Sequence, residues 1–69
     1  IVVEFTGAEN EDYKIMLYDA SGRRALDFQG VAAEGMNKVR LPSGDLARGI
    51  YIINLSNDLK NFSKRVMLN

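Results

Sequence analysis

Tyr13-Lys14-Ile15-Met16-Leu17-Tyr18-Asp19-Ala20-Ser21-Gly22 is the stretch that decides the fold. Tyr13, Ile15 and Leu17 alternate with Lys14, Met16 and Tyr18, the period of two that puts successive side chains on opposite faces of a strand. Asp19-Ala20-Ser21-Gly22 then turns the chain. An aspartate at the first turn position bonds the backbone two residues on, and a glycine at the fourth accepts a left-handed conformation. A type I turn closed by a glycine bulge makes a hairpin. The returning strand runs from Arg23 to Gln29. A bulge at Gly22 would shift its register by one residue, so Ala25, Leu26 and Phe28 compete for the inward face.

The same period continues on both sides of this hairpin. Upstream, Ile1, Val3 and Phe5 alternate with Val2 and Glu4 as far as Gly7, and the polar run Ala8 to Asp12 reads as an exposed loop. Downstream, Gly30 to Gly35 reads as a loop between two glycines, and Met36 to Leu41 resumes the alternation. Pro42 ends that strand, because it lacks a ladder donor and pushes Leu41 toward extended geometry. A crossing loop to Gly49 follows, with Leu46 as its apolar anchor. Ile50-Tyr51-Ile52-Ile53-Asn54-Leu55 is so continuously apolar that it predicts a central strand buried on both faces. After a turn over Asn57 to Asn61, the last strand spans Phe62 to Leu68. Phe62, Val66 and Leu68 share one of its faces, and Ser63, Arg65 and Met67 the other. Six short strands separated by turn signals every 8–12 residues or so predict an all-β fold, a small antiparallel Ig-like sandwich.

Composition narrows the function. A chain of 69 residues is a single domain, and one of that size buries only about 60% of its unfolded surface. Enclosing a small-molecule cavity of roughly 300 Å³ or more would strain so small a core. With no cysteine and no histidine, the chain offers no disulfide framework, no usual zinc site and no Ser-His or Cys-His nucleophile. The acids Glu9, Glu11 and Asp12 lack the Asp-x-Asp-x-Asp-Gly spacing of a calcium loop and read as a solvated turn. These residues predict no catalytic, cofactor or metal site. Formal net charge is zero, but residues 1–35 hold seven acids against three bases and residues 36–69 two acids against six bases. After Asp58 every charged side chain is basic. Nucleic-acid binders normally carry an overall basic balance, which is absent. No stretch approaches the ~20 apolar residues of a membrane-spanning helix. Ile1-Val2-Val3-Glu4-Phe5 opens within a strand rather than a leader, so the chain is read as a fragment whose parent, including any targeting signal, lies upstream.

Three segments together resemble a known family, the type A C-terminal sorting domains of type IX secretion (the Por secretion system sorting domain). Met16-Leu17-Tyr18-Asp19-Ala20-Ser21-Gly22-Arg23 is similar to that family's "x-I-Y-D-x-x-G-R" hairpin. Leu46-Ala47-Arg48-Gly49-Ile50-Tyr51 is similar to its "L-x-x-G-x-Y" element. Lys64-Arg65-Val66-Met67-Leu68 is similar to its closing strand, a basic pair followed by apolar residues. The Gly35-Met36-Asn37 entry to the middle strand also matches. Many members carry a further "N-P" strand ahead of the first strand found here. The resemblance spans the whole chain and implies carriage rather than catalysis. It implies a C-terminal address that takes a cargo domain of the same chain through the periplasm and across the outer membrane, to the medium or the cell surface. Its implied partners are the translocon and a surface sortase that can remove the domain.

Within that resemblance, Lys64, Arg65, Val66, Met67, Leu68 and Asn69 become the expected recognition strand, and Tyr18, Asp19, Gly22, Leu46, Gly49 and Tyr51 the structural motif. Each has a simpler reading as well. Asp19 and Gly22 make a turn, Gly49 supplies backbone geometry at a strand entrance, and Tyr51 packs its ring while its hydroxyl reaches the surface. Lys64 and Arg65 guard an exposed edge against association, or mark a strand that a receptor reads by strand addition. An edge-to-edge homodimer is a further possibility for an open sandwich. The competing function is a passive β-sandwich spacer or carbohydrate-binding module of an extracellular enzyme. Against it stand the lack of tryptophan and the inward-looking positions of most of the aromatic rings.

Overall fold

The computed structural model describes residues 1–42, 44–57 and 60–68. Six strands run in order: β1 (Val2–Gly7), β2 (Asp12–Asp19), β3 (Arg24–Val31), β4 (Gly35–Arg40), β5 (Gly49–Asn57) and β6 (Asn61–Leu68). They form two antiparallel sheets, β1-β4 and β3-β2-β5-β6. The sheets pack as a sandwich consistent with an Ig-like arrangement. Between them lie Ile15 and Leu17 of β2, Val39 of β4, Leu41, and Tyr51 and Ile53 of β5, all buried. Leu17 is 0% exposed and Ile15 1%. Burying a side chain of that size is worth about 1.5–3 kcal/mol, so this small set supplies much of the driving force.

The deciding hairpin forms as its residues dictate. Gly22 N–H donates to the Asp19 carbonyl at 3.0 Å, and Asp19 N–H to the Arg23 carbonyl at 2.8 Å, with Gly22 at φ +90°. Asp19 Oδ1 accepts from Ser21 N–H, Ser21 Oγ and Arg23 N–H at 3.0, 2.7 and 2.9 Å. The Ser21 hydroxyl first, then the backbone N–H of Arg23, stabilise the charged carboxylate and hold Asp19 below its ordinary value. A depressed folded-state value makes this stabilisation complete above the unfolded value of about 4, and it is lost as pH falls through the lower folded value. Asp19→Asn keeps the oxygen acceptor but cannot titrate. In thermal melts between neutral pH and pH 2, its Tm should therefore fall less steeply than that of the parent chain. Parallel Tm curves would show that the turn carboxylate does not couple to folding.

The competition for the β3 face is settled by a bulge placed later than the turn. Tyr18 pairs with Arg24 and Leu17 with Leu26, which leaves Ala25 as the extra residue. Ala25 and Leu26 both pack on the core. Phe28, opposite Ile15, lies 6.2 Å from Tyr13 between ring centroids and remains 38% exposed.

Three expectations need correction. The Gly30–Gly35 segment is not wholly loop, since β3 continues to Val31. Gly30 pairs with Tyr13, and a Cβ at Gly30 would lie 2.6 Å from the Tyr13 hydroxyl oxygen. The tyrosine ring covers the bare backbone, and this glycine extends the strand. Second, β5 is central but not buried on both faces. Tyr51 and Ile53 are 5% exposed, whereas Ile50 and Ile52 are 40% and 37% exposed. The two-stranded sheet covers one face of β5, and no described element covers the other. Third, the Tyr51 hydroxyl, expected at the surface, is held by the chain itself. It donates to the Ala47 carbonyl at 2.7 Å, a side chain turned back on the chain just upstream as in the tyrosine corner of Ig-like sandwiches. That bond and the packing of Leu46 on the core pin the described part of the crossing loop.

The loop at Ala8 to Asp12 is also tied down. Asn10 N–H donates to the Ala32 carbonyl at 3.0 Å, and Ala32 N–H to the Glu11 carbonyl at 2.8 Å. Glu11 Oε1 accepts from the Asn57 side-chain amide at 3.3 Å.

Candidate recognition strand and sheet edges

Among the described residues β6 is an edge strand, paired with β5 alone. Asn57 N–H donates to the Lys60 carbonyl at 2.9 Å and closes the β5–β6 hairpin. Hydrogen-bonded pairs alternate along an antiparallel ladder. Counting from that closure, Leu55–Phe62, Ile53–Lys64, Tyr51–Val66 and Gly49–Leu68 are the bonded pairs of the observed register. The N–H and C=O groups of Asn61, Ser63, Arg65 and Met67 therefore point to the unpaired edge. Gly49, at φ +147°, starts β5 in a backbone conformation that a side chain would oppose.

The structure splits the basic pair. Lys64 is on the face with Phe62, Val66 and Leu68, toward the small sheet. Arg65 is on the outer face with Ser63 and Met67, opposite Ile52. Val66 and Leu68 are half-buried against the core, while Phe62 and Met67 are 59% and 65% exposed. On the outer face the Asn54 amide nitrogen reaches Asn61 Oδ1 at 2.7 Å and Ser63 Oγ at 2.9 Å, fastening the start of β6 to β5. The described residues of the expected recognition strand thus divide in two. Val66 and Leu68 anchor the strand, while Lys64, Arg65 and Met67 face solvent. Asn69 lies outside the described residues.

The motif residues are scattered and structural. Tyr18 sits on the outer face of the four-stranded sheet, its hydroxyl 3.1 Å from Met16 Sδ. Asp19 and Gly22 build the turn, and Leu46, Gly49 and Tyr51 set the crossing loop. In the Gly35-Met36-Asn37 segment it is Asn37 that fixes the turn. Its side chain accepts from Ala33 N–H and donates to the Ala33 and Gly35 carbonyls at 2.9, 2.9 and 3.1 Å. Gly35 turns there at φ +94°. An asparagine two residues after a glycine, at the mouth of a strand, is the sequence signal that finds it.

Among the described residues β1 pairs with β4 alone, which makes it a second edge. Ile1 and Leu41 exchange both backbone bonds, at 2.7 and 3.3 Å. By the same alternation Val3, Phe5 and Gly7 bond to β4, and Val2, Glu4 and Thr6 direct their backbone groups away from it. Between β1 and the inward face of β5 and β6 runs a groove of about 450 Å³.

A six-stranded antiparallel sandwich with a basic, solvent-facing strand on a sheet edge defines a small all-β module. The family model described as the secretion system C-terminal sorting domain matches residues 1–69, and the chain belongs to that family. No curated protein and no solved structure matches it. Membership makes the chain a C-terminal sorting signal of type IX secretion, which implies a cargo protein and the type IX machinery. It places the protein outside the cell or attached to its surface by way of the outer membrane.

Proposed function

We propose that β6 is the part of the signal that the export machinery reads, with Lys64 to Asn69 as the recognition segment and no chemistry performed by the chain itself. The observation that carries this reading is the edge position of β6, with the backbone groups of Asn61, Ser63, Arg65 and Met67 unpaired. An extended strand of the receptor adds to such an edge through main-chain hydrogen bonds, and side chains on alternate positions supply selectivity. The charges of β6, Lys64 and Arg65, are both basic. They suit an acidic receptor surface and discourage pairing between copies of the chain. Once the cargo is outside, a surface sortase removes the domain at a point upstream of the folded sandwich.

Arg65→Pro tests the edge. The Arg65 N–H points away from β5, and proline is accepted on an edge strand where its missing donor faces solvent. Residues 1–69 would be fused behind a signal peptide and a fluorescent cargo, in a host with the type IX machinery. The parent fusion should reach the medium or cell surface. The Arg65→Pro fusion, with an unchanged circular-dichroism spectrum, should accumulate in the periplasm. Equal export of the two would mean that the outer edge of β6 is not what is read.

A further inference from the structure

The groove beside β1 is built differently from the outer edge of β6. Its lining includes every residue from Ile1 to Thr6, positions of both alternating faces, so it runs along the backbone edge of β1 and not under one face. That edge is where Val2, Glu4 and Thr6 leave their backbone groups unpaired. The floor is the inward row of β6, Phe62-Lys64-Val66, beside Ile53 and Leu55 of β5. Phe62 is left 59% exposed there, an aromatic ring on the side of β6 that otherwise meets the core. Lys60 also lines the groove. Among the described residues Arg24 and Asp27 form an ion pair that involves neither lysine.

We propose that this groove accepts one extended segment of a partner, added to β1 as a third strand of the small sheet. Its inward side chains read apolar, carboxylate, apolar. The partner's main chain bonds to Val2, Glu4 and Thr6. Its two apolar side chains cover Phe62 and Val66, and its carboxylate meets Lys64. The spacing follows from the period of two on both strands, since matched inward positions recur every second residue. A second copy of this chain fits poorly. Two-fold pairing of β1 with itself would set the Glu4 carboxylate near its equivalent, and pairing through β6 would bring lysine and arginine together. This inference goes beyond the sorting reading and stands on different backbone groups.

The probe is a dye-labelled heptapeptide, Thr-Val-Thr-Glu-Thr-Val-Thr, blocked at both ends, with a twin carrying lysine in place of glutamate. Binding to this chain is followed by fluorescence anisotropy at low salt, and amide exchange of β1 by NMR. The glutamate peptide should bind several-fold more tightly than the lysine peptide, the range of an exposed charge pair. It should slow exchange at Val2, Glu4 and Thr6. Lys64→Glu, at an exposed position, should reverse the order of the two peptides. Glu4→Pro should abolish binding of both while leaving the hairpin amides of β2 and β3 protected. The proposal is overturned if neither peptide binds, or if Lys64→Glu leaves their order unchanged. Protection of the three amides without peptide, in a dimer of this chain or by a neighbouring segment of a longer parent, overturns it too. Export of the parent and Arg65→Pro cargo fusions is measured separately from peptide binding, so failure of the groove and failure of the sorting strand are separate outcomes.

Discussion

Replacing Leu17 by alanine is expected to lower stability by about 2–5 kcal/mol, the range for emptying a well-packed leucine site. Leu17 is 0% exposed, and it stands mid-strand between β3 and β5, paired with Leu26 and Ile53. Neither neighbour can collapse into the space without breaking a ladder. Domains hold roughly 0.05–0.15 kcal/mol per residue, or about 3–10 kcal/mol for a chain of this length. One methyl-for-isobutyl exchange therefore removes a large part of the whole. With a urea dependence near 1 kcal/mol per molar, the midpoint should drop by about 2 M or more. Met67→Ala is the matching control, since Met67 is 65% exposed and surface changes stay within about 0.5 kcal/mol. Equal midpoints for the two variants would show that the sandwich core is not centred on β2.

A cargo fusion that stops at Asn61 is expected to stay in the periplasm almost entirely, for two physical reasons. It loses the segment proposed to be read. It also strips Val66 and Leu68 from the core and leaves β5 as a raw edge, with the main-chain groups of Tyr51, Ile53 and Leu55 unpaired. An exposed edge of this apolar kind invites aggregation. Fractionation alone cannot separate the causes, so the truncation belongs beside Arg65→Pro, which leaves β5 covered. Retention of both fusions assigns the signal to β6. Retention of the truncation alone assigns the loss to unfolding, and export of the truncated fusion would remove the terminal strand from the mechanism.

Much of this was legible residue by residue. The six alternating segments became six strands, and Asp19 and Gly22 made the turn their chemistry requires. The register of β6 put Phe62 and Val66 on one face and Arg65 and Met67 on the other, as a period of two demands. The bulge was readable only in kind. Its seat at Ala25 depends on how β3 fits Leu17 and Leu26 against the core, a cross-strand matter. β5 misled for a related reason. Ile50 and Ile52 are as apolar as Ile53, and composition does not say how many layers cover a strand. The second sheet has two strands against four, so one face of β5 stays open. Gly30 reads as a loop residue until Tyr13 is seen lying over it.

By itself the sequence determined the all-β class, the turns, the absence of histidine and cysteine chemistry, and the basic closing strand, because these rest on local periodicity and side-chain type. Only the tertiary structure decided that Lys64 and Arg65 serve opposite faces, that the Tyr51 hydroxyl closes the crossing loop, and that β1 and β6 each end in an unpaired edge. Those features depend on which strand lies beside which, and the pairing is set by burying Ile15, Leu17, Val39, Leu41, Tyr51 and Ile53 together. That burial joins residues far apart along the chain, where no local pattern can reach.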